Sequence, residues 1–262
     1  MKASQINHFD ELFEEDTYVL LKNYLYNYLL RKQAVEKNIS LNNPGIILEV
    51  GSGLSPMITS TNTIVYSDLS LMALQVLKRR HGKGLYVVAD AVHLPFRSGA
   101  FSQTVCSEVL EHIEDDHTAL RELARVLKLS GQLIATFPHR KFYFSRDDHF
   151  VKHFRRYELD EMKDRLQAIG LRPVCVKKVL GPMDKITMWI AVSCFSLLEK
   201  LKPKAAGGVR RSSRADILAF LFKVANQIFA GIAWMDARIT PRSLATILLI
   251  KANKEEDYSK IH

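Results

Sequence analysis

The stretch Ile47-Leu48-Glu49-Val50-Gly51-Ser52-Gly53-Leu54-Ser55-Pro56 decides the fold. Apolar residues run straight into a turn of small ones, as in a buried strand whose carboxyl end opens onto a ligand crevice. Glycine at positions 51 and 53 lets the backbone approach a ligand that a Cβ would push away. A dinucleotide site asks for GxGxxG, and the third glycine position here is Pro56. Glu49, two residues ahead of the first glycine, would repel a pyrophosphate and favour a ligand bearing an ammonium and a sulfonium.

Outward from this stretch, Asn42-Asn43-Pro44-Gly45 breaks the chain on one side. Short apolar runs predict strands over 46–50, 63–67, 85–89, 103–107, 132–137, 172–179 and 244–250. Helical spacing predicts an N-terminal helix over 10–36 and others over 70–80 and 115–128, the last stopping near Gly131. A further helix carries Leu159, Met162, Leu166 and Ile169 and ends at Gly170. Such alternation implies right-handed crossovers and a doubly wound α/β fold, its mostly parallel sheet covered on both faces. The whole chain, 1–262, reads as one domain: a core over 45–180, an insertion over 181–242 and a last strand over 243–253.

Two more carboxylates fall at strand ends. Asp68 closes Val65-Tyr66-Ser67-Asp68, where a carboxylate can accept hydrogen bonds from two ribose hydroxyls. Asp90 follows the third strand in Ala89-Asp90-Ala91, placed to meet an adenine edge. Each alone could be a surface charge; with Glu49 they form a set at three successive strand ends.

In order, ILEVGSG, VYSDLS, VVADAVHLPF, FSQTVCSEVLEHI, RVLKLSGQLIATFPH and HFRRYELDEMKDRLQAIGL resemble the class I S-adenosylmethionine-dependent methyltransferases of the UbiE/type 11 group. The resemblance covers about half the chain, from Ile46 to Gly170. It implies a Rossmann-like, seven-stranded sheet with an antiparallel last strand, and S-adenosyl-L-methionine as cofactor. It also implies cofactor contacts at Glu49, Gly51, Ser52, Gly53, Asp68, Leu69, Asp90 and Ala91, with Ser107 and Glu108 beside the methionine end. The short, Pro56-containing stretch before Asp68 departs from the pattern and predicts a shortened first helix.

Methyl transfer from an activated sulfonium needs mainly alignment, plus a base if the acceptor must lose a proton. His112, His139 and His153 are the leading candidates for that base, with His149 and Tyr157 behind them. Against each stands the commoner role of such residues, structural or solvated. The string Glu108-Val109-Leu110-Glu111-His112 resembles ExxEH clusters that hold a divalent ion in some ubiquinone-pathway O-methyltransferases and small-RNA 2′-O-methyltransferases. On a helical turn Glu108, Glu111 and His112 would share a face, with His149 to complete the set. The same string is common in type 11 enzymes without a metal, and no metal is expected.

Three scattered cysteines and a polar start, MKASQINHFDELFEED, point to a reducing compartment and a cytoplasmic protein. The net charge of +9 gathers in part at Lys202, Lys204, Arg210, Arg211 and Arg214, between apolar stretches over 186–198 and 217–235. Two uses fit: a helical lid with a solvated basic loop, or a lid over 186–235 resting on an anionic membrane and admitting a lipid-linked acceptor. A small-molecule or lipid-linked acceptor is therefore expected. Nucleic acid is disfavoured, because the fourth strand ends in Ser107-Glu108-Val109 and the basic residues lack interleaved aromatics. An RNA 2′-O-methyltransferase and a noncatalytic cofactor-binding scaffold stand as alternatives.

Overall fold

A computed structural model describes residues 25–40, 45–187 and 213–255. Seven strands form one sheet in the order β3-β2-β1-β4-β5-β7-β6. They are β1 (Ile47–Val50), β2 (Ile64–Asp68), β3 (Leu85–Val88), β4 (Phe101–Ser107), β5 (Leu127–Pro138), β6 (Leu171–Leu180) and β7 (Ile247–Lys254). β1 pairs in parallel with β2 and β4, and only β7 runs antiparallel to its neighbours, β5 and β6. The expected architecture is the observed one.

Period-two side-chain alternation builds two cores, one per sheet face. On the first face Leu48, Val50 and Val65 pack under Leu120, Leu123, Met162 and Leu166 of α3 (Asp116–Val126) and α5 (Leu159–Gln167). On the second, Ile47, Ile64 and Tyr66 pack under α1 (Tyr26–Glu36) and α2 (Leu71–His81). Ser70 caps α2 by accepting from the Ala73 amide, and Asp115 caps α3 by accepting from Thr118. A short α4 (Arg146–Phe150) follows β5, and α6 (Ser213–Ile239) lies against α1 and β6.

Several boundaries differ from expectation. α3 stops at Val126, and the chain passes into β5 at Leu127 without the expected glycine cap. Ser130 takes the left-handed conformation (φ +58°) instead. Gly131 serves close approach: a Cβ there would fall 2.8 Å from the Lys128 carbonyl. The last strand begins at Ile247, after a 3-10 turn over Arg242–Leu244. No helix occurs in 51–63, so the shortened first helix is absent altogether. The N-terminal part of the expected 10–36 helix, and Lys202, Lys204, Arg210 and Arg211, lie outside the described residues.

Candidate functional site

The carboxyl ends of β1, β2, β3, β4 and β5 meet along one edge, and most residues singled out from sequence gather there. Gly51 and Gly53 both adopt positive φ, +72° and +52°. At Gly51 a Cβ would lie 2.3 Å from Val109 Cγ2, so the turn closes tightly over the residues after β4. The Gly51 and Ser52 amides donate to the Ser67 carbonyl, tying this loop to the end of β2.

Asp68 stands where expected. Its Oδ2 accepts from the Gly53 amide at 2.8 Å and its Oδ1 from Ser70 at 2.9 Å. A carboxylate offers about four acceptor positions, a group suited to hydroxyl donors. Asp90, half-buried, accepts from the Val92 amide, with Leu69 and Ala91 also partly exposed nearby. Beyond β4, the Ser107 hydroxyl pairs with that of Thr136 at 2.8 Å, and Thr136 donates to Glu108 at 3.3 Å.

Glu49 behaves differently from its sequence reading. It is buried under the loop, and its carboxyl accepts from the Met57 and Ile58 amides at 2.6 and 3.1 Å. Burial pushes its pKa up to about 8 despite those amides. Glu49 thus secures the loop that replaces the missing helix and does not present its charge to the crevice. Tyr28, Tyr66 and Lys32 reinforce the loop by donating to the carbonyls of Pro56, Ile58 and Met57.

The candidate bases separate. Tyr157 is buried and donates to Asp116 at 2.7 Å; burial and that carboxylate drive its pKa far above the ordinary phenol value, which removes it as a base. His149 packs edge to face against Phe144 and is not among the residues whose ligand atoms gather at the ExxEH turn. His139 is buried too. Its Nδ1 lies 2.9 Å from the Ala245 carbonyl, which can only accept, so that nitrogen carries the proton and ties β5 to the approach of β7. Burial lowers the His139 pKa. The folded state then binds fewer protons than the unfolded chain, so the stabilisation is complete above about pH 6.5 and fades as pH falls below it. Measured relative to His139→Gln between pH 8 and 5, the wild-type urea midpoint should lose ground on the acid side.

His112 and His153 come together, their rings edge to face with centroids 4.6 Å apart. His112 lies in a 3-10 turn, Leu110–His112, and not in the regular helical turn expected. Glu108 sits outside that turn with φ +54°. Behind His153 is a charged cluster that sequence spacing did not show. Asp148 meets His153 Nδ1 at 2.9 Å, Arg156 Nε at 2.8 Å, Lys185 Nζ at 2.9 Å and the Ser145 amide at 3.0 Å. Burial would raise the Asp148 pKa, but these donors and the Arg156 charge hold it far below the usual carboxylate range.

Comparison with known proteins covers the segment that carries this edge. Residues 48–135 match the family described as a methyltransferase domain. A demethylmenaquinone methyltransferase of Streptomyces griseus is 34% identical over 92 residues, 34% of this chain and 40% of that protein. One from Thermobifida fusca is 40% identical over 82 residues, 29% of this chain and 35% of that protein. The chain therefore spans about two fifths of the curated relatives it matches. Among solved structures, a SAM-dependent methyltransferase from Thermotoga maritima superposes with a TM-score of 0.61 at 16% identity, covering 94% of this chain and 98% of that one. Haemonchus contortus phosphoethanolamine N-methyltransferase 2, in complex with S-adenosyl-L-methionine, gives 0.58 at 18% identity, covering 95% and 60%. At these identities the structures speak for the fold.

Proposed function

From the match of residues 48–135 to the methyltransferase domain family, we propose that this chain is a class I S-adenosylmethionine-dependent methyltransferase that transfers a methyl group to a hydroxyl of a small-molecule or lipid-linked acceptor. The observation that carries the reading is the joined pair of glycine turn and Asp68 at adjacent strand ends. The residues present fit the donor: Gly53 leaves open backbone in front of the Asp68 carboxylate, with Asp90 at the next strand end. Asp68 would hold the ribose, Asp90 and Ala91 the adenine side, and Ser107 and Glu108 the methionine end. In the absence of a helix after β1, Arg31 of α1, whose charge reaches Glu111, is the cation available to an amino-acid carboxylate.

When bound, the donor supplies a methyl on a positively charged sulfur; the S–CH3 electron pair stays with sulfur as the new C–O bond forms. The chain's own task is alignment and receipt of the acceptor's proton. Of the three leading histidines, His112 and His153 gather with Glu111 just beyond β4, whereas His139 is committed to Ala245. A lipid-linked acceptor is supported by the described part of α6. Ile228, Phe229, Ile232, Trp234, Met235 and Ile239 are exposed there, and Arg238 lies over the Trp234 ring at 3.7 Å. An apolar helix face bordered by cations suits an anionic lipid surface. No helix among the described residues is long and apolar enough to cross a membrane.

Calorimetry with S-adenosylhomocysteine should show binding where NAD shows none. Asp68→Ala should weaken that binding about 10- to 100-fold, the effect of a lost hydrogen bond to a charged group. Tritiated donor incubated with fractionated lysate should label the lipid phase. Binding of NAD in preference to S-adenosylhomocysteine would end the reading.

A further inference from the structure

Glu111 has no solvent exposure, and among the described residues neither of its carboxyl oxygens meets a hydrogen-bond partner on another residue. A buried acceptor left in that state is costly, and the more so when it is charged. Its position demands a partner that the described donors do not supply.

Around it stands a donor set for a cation. One ligand atom from each of Glu111, His112 and His153 lies within 4.8 Å of the others. His153 Nε2 is 3.8 Å from Glu111 Oε1, too far for a hydrogen bond. That spacing falls between the roughly 3 Å of adjacent ligands and 4.2 Å of opposed ones around an ion with bonds near 2.1 Å. The Phe154 amide donates to the Glu111 carbonyl at 2.8 Å, locking the two segments together.

The orientation of His153 supplies a further reason. Asp148 is surrounded by donors and acts only as an acceptor, so His153 Nδ1 carries a proton toward it. The Nε2 lone pair is then directed to the side of Glu111. A carboxylate behind an imidazole in this way fixes the tautomer and ring plane of metal-binding histidines. Glu108 adds a second acidic group near enough to act on Glu111, in a left-handed conformation that strains a non-glycine residue.

We infer that Glu111, His112 and His153 bind a divalent cation of the Mn2+, Fe2+, Co2+ or Zn2+ class, leaving further coordination positions open. Two imidazoles and one carboxylate select such ions over Ca2+ or Mg2+. The proposed set departs from the sequence expectation, which had no metal and placed His149, not His153, beside the ExxEH turn. On the methyl-transfer reading, an open position would take the acceptor's hydroxyl oxygen and ease transfer of its proton to the neighbouring Glu108 carboxylate, His112 and His153 then serving as ligands and not as the base. That consequence rests on the proposed function; metal binding does not.

Chelator-treated full chain, titrated with Co2+ and followed by visible absorption and calorimetry, should show one saturable site. Glu111→Gln and His153→Gln should each weaken it at least 10-fold while S-adenosylhomocysteine binding persists, which certifies the fold. Should Glu111→Gln fail to fold, His153→Gln and the rise in wild-type melting temperature with Co2+ decide the matter. Absence of saturable Co2+ binding to wild type, or undiminished binding in the folded variants, overturns the site. Loss of S-adenosylhomocysteine binding by wild type, with Co2+ binding intact, would instead remove the methyl-transfer reading alone.

Discussion

Asp148→Ala should lower the unfolding free energy by about 3–5 kcal/mol, the loss expected when a buried ion pair is broken from one side. Arg156 is 6% exposed and its guanidinium rests on the Asp148 carboxylate, with Lys185 and His153 on the same group. Removing the carboxylate strands those donors in a poorly solvated place. Equilibrium urea unfolding measures the loss. A second substitution sharpens the test: Arg156→Met on top of Asp148→Ala should recover a large part of it, because the penalty comes from the stranded charge. If the double variant is no more stable than the single one, the destabilisation has another source.

The second large effect lies at Glu49. Replacing it with alanine leaves the Met57 and Ile58 amides without their acceptor under a closed loop, a loss of about 2–6 kcal/mol for two unsatisfied donors. Glu49→Gln retains one acceptor oxygen and should lose less. The pH dependence tells the group's state. With its folded pKa raised to about 8, Glu49 keeps its proton in the fold while the unfolded chain has lost it. Stability from this group is therefore complete below the unfolded value near 4.5 and declines as pH rises through about 8. The decline is at most about 1.4 kcal/mol per pH unit. Glu49→Gln, which cannot ionise, should lack that alkaline decline. A wild-type profile flat between pH 5 and 8 against the variant would show that the two amides hold the carboxylate ionised.

The two positions mark what could be read from the chain and what could not. The strands were legible because short apolar runs such as Ile47-Leu48 suit a sheet buried on both faces, Ile47 in one core and Leu48 in the other. Asp68 and Asp90 were legible because strand ends in this topology collect at one edge. Glu49 misled, since the same carboxylate serves a ligand or a loop depending on the path of the chain after β1, and absent helical periodicity does not say which amides fill the space. The boundary at Leu127 was missed because Leu127 and Gly131 suit a helix end as well as a strand start. His153 could not be chosen over His149 from spacing. Their fates depend on how the loop after α4 folds back onto the ExxEH turn, a contact between segments some forty residues apart. The Asp148 cluster was invisible for the same reason.

The position of β7 has a consequence for how this molecule is made. The last strand in the chain is a wedge between β5 and β6, which have no direct pairing with each other. Until residue 254 has left the ribosome, β6 has no neighbour to zip onto and β5 presents a bare rim. The nascent polypeptide therefore carries an unfinished, adhesive border from the emergence of β5 until that of β7, and closure of the sheet is a late event in its synthesis.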